Sequence, residues 1–162
     1  MRGLRNDPAD GNPHLRHFYR NWRTTRFGRL HNRVYAWLSA LGLTPPSLIT
    51  LQVRHRLDGR LCSTILAPVN FEGARYVVSM LGDESEWVRN LRANSGAGFL
   101  KRRRSSPVKL TEIPVPDRAQ VLKAWCQVAT SGRRHLPVAH DAPVSAFEAI
   151  AADYPVFRID PV

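Results

Sequence analysis

Three arginines crowd one turn signal. Arg54, Arg56 and Arg60 flank Asp58-Gly59 in the run RHRLDGR. Further on, SMLGDESEWVRNLRAN runs from Ser79 to Asn94 and leaves an apolar strand through Gly82 into a helical pattern. Guanidinium groups make planar, bidentate contacts with phosphates and carboxylates. A helix that opens straight after a strand offers free N–H groups and a dipole that attract negative charge. Ser79, Met80, Leu81 and Gly82 add backbone groups at that strand end. If the fold brings the arginines to this loop, the two parts form a trench for a planar ligand bearing phosphate. The plain structural reading stands beside it. Trp87 and Leu91, four residues apart, share one helical face and anchor a short helix on a sheet. Asp83 and Glu86 read as a capping box, and Gly96 as the helix stop.

Other chemistry is sparse. No Gly-x-Ser-x-Gly elbow occurs, so a serine hydrolase has no support. The lone Gly-x-Gly in NSGAG follows a helix, the wrong order for a dinucleotide fingerprint. Cys62 and Cys126 make neither a disulfide framework nor a zinc set. His14 and His17 are one helical turn apart but lack a third ligand, so no metal is expected. His135 and Tyr154 are candidate proton donors; packing is their plain alternative. The basic run KRRRSS, Lys101 to Ser106, reads as a solvated strand end.

Charge is the outlier of the composition. The 162 residues carry 24 Lys and Arg against 13 Asp and Glu, a net charge of +11, and only three of the basic residues are Lys. Such a balance points to a polyanionic partner: nucleic acid, anionic lipid or a phosphorylated cofactor. Nucleic acid is disfavoured, because the aromatics fall at core spacing and not on a stacking platform. The opening MRGLRNDPADGNP has no apolar stretch with a small-residue cleavage site, so no secretory leader is expected. A reducing cytoplasm suits the two unpaired thiols.

The elements that must position these residues follow from periodicity. Residues 1–12 read as a disordered lead. Residues 13–43 read as amphipathic helices: Leu15, Phe18, Tyr19 and Trp22 face one way, and Arg16, Arg20 and Arg23 the other. That pattern suits docking on the barrel or a dimer mate, and also peripheral contact with the inner face of a membrane. From residue 44 strand signals dominate. Ile49, Leu51, Val53 and Leu57 alternate with polar residues, Asp58-Gly59 reads as a two-residue hairpin turn, and LCSTILAPV returns as one strand. A turn at Asn70–Gly73 leads to ARYVVSML, closing a three-strand meander. AGFLKRR and PVKLTEIP read as strands. PDRAQVLKAWCQVAT and DAPVSAFEAIAADY, the latter capped by Asp141, read as helices, and VFRI as a last strand. This order predicts an α+β protein with a mainly antiparallel small barrel of about six strands, N-terminal helices and peripheral helices.

RYVVSMLGDESEWVRNLRAN, with RLDGRLCST before it and PVFRI at the end, resembles the deazaflavin-dependent nitroreductase family, over roughly residues 45–160. The WVRNLRAN segment is its most specific part. The resemblance implies a split β-barrel over residues 44–162 that binds coenzyme F-420, an 8-hydroxy-5-deazaflavin, with FMN the weaker alternative. It implies hydride transfer to a small apolar, electron-poor acceptor such as a quinone, an enone or a nitro compound, and allows a homodimer. Matched position by position, Gly59 and Arg60 fall in the basic hairpin, with Arg56 upstream, and Arg54 adjoins it. Ser79 to Gly82 fall in the loop after the third strand. Trp87, Asn90 and Leu91 fall in the helix. Asp58 and the acidic Asp83–Glu86 loop depart from the family pattern. The second reading from sequence is a non-catalytic barrel holding a lipid or another cofactor, with the basic front on a membrane.

Overall fold

A computed structural model describes residues 47–101 and 104–162, together with the backbone of residues 19–20 and 23–24. Tyr19–Arg20 (β1) pairs antiparallel with Arg23–Thr24 (β2), in the register Tyr19↔Thr24 and Arg20↔Arg23. Helix was expected at Tyr19, Arg20 and Arg23, with Thr24 a cap between two helices. Extended pairing replaces it there, in keeping with the strand preference of Tyr and Thr. The rest of the expected helices of residues 13–43, and the lead 1–12, lie outside the described residues.

The main sheet has seven strands, all paired antiparallel: β3 (Ile49–Arg54), β4 (Leu61–Leu66), β5 (Pro68–Phe71), β6 (Ala74–Val78), β7 (Ala97–Lys101), β8 (Ser105–Glu112) and β9 (Val156–Pro161). Their spatial order is β4-β3-β7-β8-β9-β6-β5. The two edge strands, β4 and β5, are consecutive in the chain, with only Ala67 between them. Both ends of the sheet must therefore approach within one residue. The sheet curls into a barrel left split between β4 and β5, an α+β split barrel.

The break at Ala67-Pro68 corrects the expected single strand LCSTILAPV and the three-strand meander. Pro68 has no N–H to extend a ladder. The Ala67 carbonyl instead accepts a hydrogen bond from Trp125 Nε1 at 2.9 Å. β4 pairs with β3, β6 pairs with β9 and β5, and β4 and β6 do not pair. The β5–β6 turn is tight: Glu72 and Gly73 both have positive φ, 47° and 77°, the geometry of a type I′ turn.

Alternation along the central strands separates two cores. Val77 and Phe157 pair across β6 and β9 and point into the barrel, where they meet Leu51, Val53, Val108 and Leu110. Their neighbours Val78 and Val156 point outward, beneath α2 (Arg118–Val128) and α3 (Val144–Glu148), onto Leu122, Trp125 and Phe147. The helix α1 (Glu86–Ala93) plugs the inner core with Val88 and Leu91, both fully buried. Each such side chain contributes about 1.5–3 kcal/mol by leaving water. The expected cap of α3 at Asp141 is not made: Pro143 occupies the N-cap, and Asp141 is exposed two residues upstream.

Candidate functional site

The β3–β4 hairpin is wider than its Asp58-Gly59 signal suggested. Arg54 pairs with Leu61, and His55 N–H donates to the Arg60 carbonyl at 2.8 Å. Arg56 to Gly59 thus form a four-residue loop, and Gly59 N–H closes it onto the His55 carbonyl at 2.9 Å. Leu57, expected on the inward face of a strand, is a loop residue and exposed. Asp58 stabilises the loop from within, its Oδ1 accepting the Arg60 N–H at 3.2 Å. Gly59 takes φ +69°, which a side chain would resist.

The hairpin and α1 do converge. Asn90, buried on α1, accepts two hydrogen bonds through Oδ1, from Arg56 N–H at 3.2 Å and from Arg56 Nη1 at 3.0 Å. Asn94 Nδ2 donates to the Arg54 carbonyl at 2.8 Å. His55 Nε2 lies 3.3 Å from Glu86 Oε1, in the first turn of α1. Two side chains of α1, and Asn94 at its C-cap, thus hold the hairpin. His55, Glu86 and Asn94 were not picked out from sequence. Glu86 reads locally as part of a capping box, and nothing in the pattern marks His55 as a bridge.

The loop after β6 is a buried knot. Ser79 Oγ donates to the Gly82 carbonyl and lies 2.8 Å from Ser85 Oγ, while Gly82 N–H returns to the Ser79 carbonyl. Gly82 has φ +76°. Ser85, not Asp83, is the N-cap of α1, and no side-chain cap bond forms. Asp83 instead accepts from Arg92 Nη2 at 2.8 Å, and Glu84 pairs with Arg89. The capping box is therefore corrected. The acids of this loop neutralise arginines of their own helix.

The sequence candidates divide by exposure. Ser79, Leu81, Gly82, Asn90 and Leu91 are buried and shape the backbone. Arg54, Arg56, Gly59 and Arg60 are exposed, and Met80 and Trp87 are half-buried. Trp87 packs edge-on against Phe157, with ring centres 5.3 Å apart at 61°. Arg54 Nη1 reaches the Gly59 carbonyl at 3.4 Å, and Arg60 Nε lies 3.2 Å from Asp58 Oδ2. Partial desolvation works against the Asp58 carboxylate, but the Arg60 amide and the nearby His55 and Arg60 hold its pKa below the usual range. His135 and Tyr154 are not brought to this site. Tyr154 belongs to the outer core, across the sheet from the inner core where Trp87 packs, and its hydroxyl donates to the His135 carbonyl at 3.2 Å.

No family model matches the sequence, and no curated protein matches it. Solved structures match by shape, 31 chains in all. Campylobacter jejuni ChuZ aligns at 10% identity with a TM-score of 0.48, over 87% of this chain and 56% of its own. An F-420-H2 dependent reductase, FDR-A, aligns at 17% identity with a TM-score of 0.45, over 71% of this chain and 95% of its own. A heme binding protein from Mycobacterium smegmatis aligns at 13% identity with a TM-score of 0.48, over 78% of this chain and 49% of its own. This chain thus spans little more than half of the first of these and about half of the last. At such identities the likeness extends to shape alone.

Among the described residues, neither cysteine is an activated nucleophile. Burial raises the Cys62 thiol and pushes Cys126 up to about 11, so both stay protonated near neutrality. Among the described residues no cluster of His, Cys, Asp or Glu could hold a metal ion, and no helix is long and apolar enough to cross a membrane. What the arrangement offers is three exposed guanidinium groups, Arg54, Arg56 and Arg60, on a hairpin fixed to α1.

Proposed function

We propose that this protein is an oxidoreductase that uses a reduced deazaflavin, coenzyme F-420, to reduce a small electron-poor acceptor. The observation that carries this reading is the junction of the arginine hairpin with the tryptophan helix, made by Arg56 on Asn90 at 3.0 Å. The sequence resemblance supports it, because the matched segments RLDGRLCST and WVRNLRAN are the two that this junction joins.

The donor set fits an anionic cofactor tail. Arg54, Arg56 and Arg60 are exposed on one hairpin and outnumber the carboxylates of Asp58 and Glu86 beside them. When bound, the deazaflavin supplies the hydride. Arg56 and Arg60 would hold the phosphate and acidic tail, with Asn90 fixing the direction of Arg56. Ser79 and Gly82 shape the loop before α1, and the half-buried Trp87 and Met80 would offer apolar surface to the ring system. No residue of this chain need form a covalent bond to substrate, in agreement with two protonated thiols.

The lipid-binding alternative asks for a hollow barrel. Among the described residues the interior is instead filled by Leu51, Val53, Val88, Leu91, Val108 and Phe157. The deciding experiment is titration of the protein with oxidised F-420, followed by its fluorescence. Quenching with saturation is expected, and no change up to high micromolar protein would end the enzyme reading.

A further inference from the structure

His55 is wedged between two carboxylates that come from different elements. Its Nδ1 lies 3.0 Å from Asp58 Oδ1, within the hairpin loop, and its Nε2 lies 3.3 Å from Glu86 Oε1, on α1. The side chain is only 11% exposed, whereas both acids are about half exposed, at 52% and 55%. The Nδ1 contact is at ion-pair distance but off the line of a hydrogen bond. A neutral imidazole carries one N–H and turns a lone pair toward its other neighbour. Only the imidazolium can face two carboxylates with a proton on each side.

We infer that His55 is a positioning residue for the anion site: its ring ties Asp58 to Glu86, closes the hairpin on α1 and engages one oxygen of each acid that borders the exposed arginines. This rests on the proposed cofactor site. Without the ring, Asp58 and Glu86 are uncovered on that side, next to Arg54, Arg56 and Arg60. An incoming anion then meets two carboxylates that no imidazole engages. The charged and titratable groups around His55 are Asp58, Arg56 and Arg60 of its loop, Arg54 of β3, Glu86 of α1 and Cys62 of β4, whose thiol also feels Arg60, Glu86 and Asp58. The carboxylates are the two that touch the ring.

The test compares wild type with His55→Ala, which removes both contacts, and with His55→Gln, whose amide can donate on one side only. Oxidised F-420 should bind His55→Ala about fivefold more weakly than wild type, the scale of one partly exposed ion pair, and His55→Gln should recover part of the loss. Adding Glu86→Gln to His55→Ala removes an uncovered acid and should restore binding toward wild type, a rescue that a merely structural role of the ring would not produce. Wild-type binding by His55→Ala, or no rescue by Glu86→Gln, overturns the inference. Failure of every protein to bind F-420 overturns the proposed function instead, and nitrogen-15 relaxation of the Arg56–Gly59 amides, faster-moving in His55→Ala, still reports on the latch.

Discussion

Asn90 Oδ1 accepts both the backbone N–H and the Nη1 of Arg56, at 3.2 and 3.0 Å, so one buried amide on α1 fixes a loop 34 residues upstream. A side chain with 1% exposure therefore decides where an exposed guanidinium points. Asn90→Leu should cost about 1–3 kcal/mol, because it strands the partners of a buried acceptor. Urea unfolding measures the loss, and F-420 titration should weaken with it. Unchanged stability would show that Arg56 is held by something else.

Arg60→Ala separates binding from folding. Arg60 is 69% exposed and pairs with a half-exposed Asp58, so its removal should change stability by less than about 1 kcal/mol. Binding of F-420 should nevertheless fall by about tenfold or more, as expected for loss of a charge-assisted contact to phosphate. Equal binding by the variant defeats this assignment.

Glu112 is a junction for two arginines. Arg92 donates to it through Nε and Nη2 at 2.8 and 2.7 Å, and Arg118 through Nη2 at 2.9 Å. The Glu112 hydrogen bond, with help from Asp83, raises the Arg92 pKa further above its usual range. Arg118 is buried and has two carbonyl partners besides, Ile113 and Ala151. Glu112→Ala should destabilise by about 2 kcal/mol or more by leaving that buried charge short of its counter-ion. Glu112→Gln should recover part of this in thermal unfolding, since it still accepts.

Gly96 and Gly59 both take positive φ, but their surroundings differ. A Cβ on Gly96 would lie 2.3 Å from the Leu110 carbonyl oxygen, whereas one on Gly59 meets nothing within 4 Å. Gly96→Ala should therefore cost well over the ~1–2 kcal/mol of left-handed backbone strain that Gly59→Ala pays. Comparing the two unfolding midpoints tests whether β8 truly passes this close to the end of α1.

Burial holds the His135 pKa below its ordinary value. The folded state thus prefers the neutral ring, and the unfolded chain takes up the proton more readily. The stability this contributes is full above the unfolded value of about 6.5 and is lost as pH falls through the lower folded value. Melting temperatures measured between about pH 7 and pH 5 should drop more for wild type than for His135→Asn. A parallel pair of curves would place His135 in water.

Strand by strand, most of the barrel could be read from the chain. Leu51 and Val53 alternate with Gln52 and Arg54, and the structure buries the first pair and not the second. β7, β8, β9, α1 and α2 fall where periodicity placed them. Two local signals misled. Asp58-Gly59 resembles a two-residue turn, but Asp58 bonds the Arg60 amide and widens the loop. Asp83 and Glu86 have the spacing of a capping box, but Arg92 and His55 offer them partners across space. In the first case a local side-chain bond to the backbone overrides the turn preference, and in the second tertiary partners draw the acids away from the cap.

Residue pattern alone determined the antiparallel strands, the arginine cluster and the helix that follows Ser79, because hydrophobic period and turn chemistry act between near neighbours. It carried no information on the strand order β4-β3-β7-β8-β9-β6-β5, the face to which His135 and Tyr154 belong, or the contacts of His55. Those depend on how the sheet curls to bring Leu66 and Pro68 to opposite edges, and on which distant side chains that curvature sets within reach. Only the closed three-dimensional shape puts Glu86 beside His55 and Asn90 beneath Arg56.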